Sequence, residues 1–159
     1  DMDVKGLDRI LTALKKIKDG GQNDFLWHYI GDGRDYEQLK KMIEELGLQQ
    51  NVICYGQMNN PLVILKQMDC FILASRYEGK PVSVTEAMAL NVPCIVTEYA
   101  SAREQVADKR NGIVTENSDD GVYNAIEIIM KKTRFLDEYR SNIGDISNRD
   151  EVQKLYDIL

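Results

Sequence analysis

Apolar residues fall along this chain in two alternating rhythms. Leu7, Ile10, Leu11, Leu14 and Ile17 recur at helical spacing, and Gly20-Gly21 closes that helix. Residues 24–31 form a short apolar run ending in glycine, which predicts a buried strand. Tyr36, Leu39, Ile43 and Leu46 mark a second amphipathic helix stopped by Gly47, and residues 51–56 the next strand. Pro61 suits a first helical position, where its missing N–H is not needed, and opens a short helix through Leu62, Leu65 and Met68. A strand at 70–75, a helix at 83–90, a strand at 93–98 and a short helix from Ser101 follow. Asn111-Gly112 turns into a last strand, and Val122, Ile126, Ile129 and Met130 mark another helix. The tail from Thr133 reads as helical, broken into pieces by Asn142, Gly144 and Asn148.

Repeated β-α units with near-continuous apolar strands imply an α/β fold with a parallel sheet covered on both faces. Right-handed crossovers make it a Rossmann-like, doubly wound parallel sheet, with ligands expected in loops at the carboxyl ends of the strands. Residues 1–6 read as a loop running straight into a helix, whereas a β-α domain ordinarily opens on a strand. The chain therefore reads as one domain, 1–159, excised from a longer protein and lacking its first strand, with 131–159 as C-terminal helices. A missing strand would leave a gap at the sheet's centre and edges open to pairing with another chain.

Composition narrows the functions. A net charge of −6 and a pI near 4.9 argue against nucleic-acid binding, which usually needs a basic face. The pairs Lys15-Lys16, Lys40-Lys41 and Lys131-Lys132 read as solvated positions late in helices. Cys54, Cys70 and Cys94 lack any framework spacing and read as reduced thiols, so the expected location is the cytoplasm. With one histidine, a His-rich metal site is not expected. No apolar run approaches the roughly 20 residues of a membrane span, and no signal-like leader opens the chain.

Candidate chemistry concentrates in residues 75–105. Glu78 lies in a Gly/Pro loop, and Glu86 just inside the helix that follows. Gly79 lets backbone approach a bound group, Pro81 fixes φ, and the first free N–H groups of the helix, from about Ser83, suit a phosphate. A carboxylate such as Glu86 can accept both hydroxyls of a ribose diol. Ser83-x-x-Glu86 and Ser101-x-x-Glu104 are equally capping boxes, and local chemistry by itself favours capping.

The run SRYEGKPVSVTEAMALNVPCIV resembles the signature of the retaining GT-B glycosyltransferases: Glu, seven residues, Glu, then Ala-Met-Ala. Lys5-Gly6-Leu7-Asp8 resembles that family's lysine-glycine helix opening. FLWHYIGDGRDYEQLKKMIEELGLQQNVICYGQM resembles its strand–GDG–helix–strand segment, and NGIVTENSD its last strand. The likeness covers about residues 4–130 and implies the C-terminal, donor-binding half of a GT-B fold. By that resemblance Glu78 faces the donor sugar and Glu86 the nucleotide ribose. The backbone of Gly79, Lys80, Pro81 and Val82 lines sugar and phosphates, next to the helix start at Ser83, and Lys5 meets the diphosphate. Ser101 stands in a turn that approaches the phosphates, although Tyr99-Ala100-Ser101-Ala102 replaces the family's usual Gly-Gly. The loop from Tyr55 to Met58 resembles the base-binding strand end. The implied substrate is a nucleotide-sugar, with a UDP-sugar the expected donor, and the chemistry is metal-independent with no cofactor. The implied partner is an N-terminal acceptor-binding domain of the same parent chain, and peripheral association of the parent enzyme with the inner face of a membrane is a further expectation. The alternatives are a non-catalytic nucleotide-binding or interaction domain, and a GT-B sugar-nucleotide epimerase.

Other motifs carry less. Gly31-Asp32-Gly33 lacks the third glycine of a dinucleotide fingerprint and reads as a tight turn, with Gly33 a candidate ligand contact. Asp1-Met2-Asp3 spells a metal-binding Asp-x-Asp but sits outside any strand end. His28, mid-strand between Trp27 and Tyr29, reads as a packed histidine.

Overall fold

The protein is described by a computed structural model over residues 2–146. Helix α1, Met2–Lys5, leads into α2, Leu7–Asp19. Then come β1 (Trp27–Tyr29), α3 (Tyr36–Glu45), β2 (Val52–Cys54), α4 (Leu62–Leu65) and β3 (Phe71–Leu73). The order continues with α5 (Val82–Ala89), β4 (Cys94–Thr97), α6 (Ala102–Gln105), β5 (Gly112–Thr115), α7 (Asp119–Lys131) and α8 (Arg134–Ile146). All strand pairs are parallel.

The sheet comes in two ladders, β1-β2 and β3-β4-β5. Among the described residues no ladder joins β1 to β3. Side-chain alternation places helices on both faces of the larger ladder. Ile95 and Ile113 face a core shared with Ile10, Leu11 and Leu14 of α2 and with Val122, Ile126 and Ile129 of α7. Cys94, Val96 and Val114 face a second cluster with Val84 and Ala87 of α5 and Ala102 of α6. Leu39 and Ile43 of α3 and Val52 of β2 extend the first core under the smaller ladder. Each fully buried leucine or isoleucine there stabilises the fold by about 1.5–3 kcal/mol.

Several expectations need correction. Residues 2–5 are a helical turn rather than a loop, because α1 is tied at both ends: Met2 N donates to Asp35 Oδ2 at 2.7 Å, and Arg76 N donates to Val4 O at 2.9 Å. Strand β1 is half-buried rather than buried, since only Trp27 and Tyr29 pack on the core while His28 lies on the other face. Pro61 takes the cap position before α4, not its first turn, and the helix ends at Leu65, short of Met68. Helix α8 runs through Asn142 and Gly144 without a break. Buried Tyr139 and Ile143 anchor it, and Asn142 Nδ2 donates to Arg110 O at 2.8 Å. The break expected at Asn148 lies outside the described residues.

Five of the six lysines in these pairs make surface ion pairs and Lys132 lies over the Phe135 ring, although Lys40 and Lys41 stand mid-helix rather than late. Lys40 meets Glu37 at 2.7 Å and Lys131 meets Glu127 at 2.9 Å. The three cysteines are free, and burial pushes the Cys70 thiol up to about 12 and Cys94 well above its ordinary value. No helix among the described residues is long and apolar enough to cross a membrane.

Candidate functional site

Because the strands are parallel, the loops that follow them emerge on one side of the molecule. Short ties draw those loops together. Gly31 N donates to Gly56 O at 2.9 Å, joining the loops after β1 and β2. Thr97 Oγ1 at the end of β4 donates to Ser75 O after β3 at 2.6 Å. Gly6, between α1 and α2, has φ +67° and sits so close to β3 that an added Cβ would lie 2.0 Å from Ala74 O. Only glycine satisfies both conditions. That contact delivers Lys5 to the site: its Nζ is 2.7 Å from Glu78 Oε1, and Ser75 Oγ donates to the same oxygen at 2.8 Å. The Glu78 side chain is 12% exposed and Lys5 52%, so a nearly buried carboxylate is neutralised by a half-exposed cation.

Arg76, two residues before Glu78, is held from behind. It donates to both Asp8 carboxylate oxygens, at 2.9 and 2.7 Å, and to Asp3 O. Burial raises the Asp8 carboxyl, but the hydrogen bonds and charge of Arg76 outweigh it and the net shift is downward. Asn117 Nδ2 donates to Arg76 O at 3.0 Å and Glu98 O at 3.2 Å, while its Oδ1 accepts from Arg9 at 2.6 Å. The loop bearing Glu78 is thus pinned to α2 and to the segment after β5.

Neither expected capping box forms. Pro81, with φ −65° and ψ 124°, occupies the cap of α5, and no side chain caps it. Ser83 lies inside the helix. Ser101 caps α6 by position only, because its buried hydroxyl donates to Gly79 O instead. A Cβ on Gly79 would meet nothing within 4 Å, so the fold itself does not demand glycine there. Gln105 Nε2 donates to Pro81 O and Thr85 Oγ1, both at 3.0 Å, and Gln105 Oε1 accepts from Tyr99 OH at 3.0 Å. Burial, with the nearby Glu78 carboxylate, holds the Tyr99 phenol far above its ordinary value, so it remains a donor. Arg76, Tyr77, Glu78, Gly79, Tyr99 and Ala100 line an open recess of about 450 Å³.

The remaining candidates scatter around this recess. Lys80 and Val82 are exposed, and Ser83 is half-buried. Glu86 is half-buried four residues after Val82, while Val84 and Ala87 face the core. Among the described residues no hydrogen bond or ion pair engages its carboxylate. Gly33 is exposed and Tyr55 stands just past β2; neither lines the recess. Tyr55 stacks on His28 with centroids 5.8 Å apart, and its hydroxyl lies 3.0 Å from His28 Nδ1, so the histidine is packed and satisfied. Sequence reasoning gave no role to Asp8, Asn117, Tyr99 or Gln105, since none of the quoted motifs pairs one of them with its partner.

The model of the family described as glycosyl transferases group 1 matches residues 2–149. The chain belongs to this family. Over 90 residues it is 36% identical to the lipopolysaccharide 1,6-galactosyltransferase of Salmonella typhimurium, covering 54% of this chain and 25% of that protein. The UDP-Gal:alpha-D-GlcNAc-diphosphoundecaprenol alpha-1,3-galactosyltransferase of Escherichia coli is 28% identical over 138 residues, 86% of this chain and 34% of its own. These curated relatives are therefore matched over about a third of their length or less. Among solved structures, Anabaena HepE in complex with UDP superposes with a TM-score of 0.81 at 21% identity, covering 98% of this chain and 45% of that one. WaaG, a glycosyltransferase involved in lipopolysaccharide biosynthesis, gives a TM-score of 0.82 at 19% identity, covering 99% and 44%. At such identities the superpositions establish the fold: the parallel, Rossmann-like C-terminal half of GT-B glycosyltransferases.

Proposed function

We propose that this chain is the donor-binding domain of a retaining glycosyltransferase that moves a sugar from a nucleotide diphosphate sugar, a UDP-sugar, to a glycan or lipid-linked acceptor. The observation that carries this reading is the start of α5: an uncapped helix and an open glycine stand between Glu78, already joined to Lys5, and Glu86, which has no partner. Ribose hydroxyls satisfy Glu86. Diphosphate oxygens satisfy the free amides from Val82 onward and the ammonium donors of Lys5 that Glu78 leaves unused. As the bond between the sugar's anomeric carbon and the diphosphate breaks, negative charge grows on the leaving group where those donors stand, and Glu78 orients the sugar's hydroxyls. Lys80, Pro81 and Ser83 complete the wall, Ser101 holds Gly79 from beneath, and the Tyr55 and Gly33 loops close the base side. This reading uses no metal ion or cofactor. An N-terminal domain of the parent chain supplies the acceptor side, and the parent enzyme works in the cytoplasm at the inner face of a membrane.

Calorimetry of UDP and GDP with this chain tests the reading. Glu86→Ala is expected to weaken UDP roughly tenfold or more, the loss of charge-assisted hydrogen bonds to a diol. Equal affinity in the variant contradicts the ribose role, and no binding of either nucleotide contradicts the donor site.

A further inference from the structure

We propose that Gln105, held by Tyr99, is a positioning residue that orients the α5 loop for the donor diphosphate; the proposal rests on the donor-site reading above. Gln105 is the last residue of the short helix α6 and touches none of the groups assigned to the donor except through the main chain. Its amide orientation is fixed by chemistry. Pro81 O can only accept, so the nitrogen end faces it, and the oxygen end then takes the Tyr99 hydroxyl proton. Both N–H bonds of the amide are used, one on Pro81 O and one on Thr85 Oγ1.

The consequence appears on the other side of the loop. In a trans peptide the C=O and the following N–H point in opposite directions. Ser101 holds the Gly79 carbonyl, and Gln105 holds the Pro81 carbonyl. The N–H groups of Lys80 and Val82 are therefore both turned away from α6. Neither has an acceptor among the described residues. Alternate amides of one loop thus present unsatisfied donors beside the first turn of α5, an arrangement suited to an anion carrying several oxygens. Among the described residues Gln105 is the side chain that holds the Pro81 carbonyl, and with it the plane of the peptide that carries the Val82 amide. An apolar residue at position 105 would remove that hydrogen bond and loosen the Pro81 carbonyl and the Val82 amide with it.

The test compares UDP with uridine, which shares base and ribose but has no phosphate. Wild-type chain, Gln105→Leu and Tyr99→Phe are titrated with both by calorimetry, with thermal melting as the folding control. The expected result is a loss of UDP affinity of about ten- to a hundredfold in Gln105→Leu, with uridine affinity unchanged. Tyr99→Phe, which removes only the hydroxyl that locks the amide, is expected to lose a few-fold for UDP alone. Unchanged UDP affinity in both variants overturns the proposal. So does equal loss of UDP and uridine in a folded variant, which marks a merely structural role. If Gln105→Leu does not fold, Tyr99→Phe decides by the same comparison. A wild-type chain that binds uridine and UDP equally contradicts the diphosphate cradle, and one that binds neither contradicts the donor-site reading itself.

Discussion

At the scale of residues, the site is a set of committed and uncommitted polar groups. Lys5 and Glu78 are committed to each other, and Glu86 to nothing. Replacing Glu78 with glutamine separates binding from transfer. It removes the charge that holds Lys5 and so leaves the ammonium to the diphosphate. On the proposed reading, UDP affinity in a full-length transferase carrying this domain is expected to hold or rise while transfer falls by about a hundredfold or more, read by binding and turnover on the same preparation. Gly6 is a separate case. Any side chain there meets Ala74 O at 2.0 Å in a left-handed backbone, so Gly6→Ala is expected to destabilise the fold by more than about 2 kcal/mol, measured by urea unfolding. Both residues were legible in the sequence, Glu78 through its spacing to Glu86 and Gly6 through the lysine-glycine opening. Tyr99 and Gln105 were not, because a hydrogen bond from a glutamine amide to a carbonyl 24 positions earlier leaves no local pattern.

At the scale of elements, the Asp8–Arg76 pair couples α2 to the loop that carries Glu78. The Asp8 carboxyl is depressed in the folded state, so its stabilising contribution is full above the ordinary carboxylate value near 3.8 and is lost as pH falls through the lower folded value. Asp8→Asn is expected to lower stability by about 1–2 kcal/mol at pH 7 for a partly exposed, forked pair. The gap to the wild type should narrow steadily in melts taken at successively lower pH below 3.8; a gap that does not narrow would show that charge is not its source. Helical periodicity located α2, α3 and α7 well, since their buried faces recur regularly. It misjudged α1, which is held by Asp35 and Arg76 from distant loops, and α8, where tertiary anchoring by Tyr139 and Ile143 overrides the breaking tendency of Asn142 and Gly144. Capping-box spacing misled at Ser83 and Ser101 because Pro81 starts α5 earlier and Gly79 claims the Ser101 hydroxyl.

At the scale of the molecule, one core spans two parallel ladders, and the loops after β3 and β4 meet around Glu78 while those after β1 and β2 are tied to each other. The sequence reads as one doubly wound sheet, and the described residues form two separate ladders within it. Parallel strands bond to each side through alternate residues. With Trp27 and Tyr29 turned to β2, and Phe71 and Leu73 to β4, His28 and Ile72 present backbone groups outward. Such edges favour strand pairing between copies, so light scattering after gel filtration should show association that grows with concentration. A chain that stays monomeric throughout would mean the edges are shielded.

The most direct measurement is an amide NMR titration of this chain with UDP. The shifts are expected to concentrate on residues 79–86 and on Lys5, with the Val82 amide among the largest. Shifts confined to the loop from Gly31 to Asp35, or spread over faces remote from α5, would contradict a donor cradle built at the start of that helix.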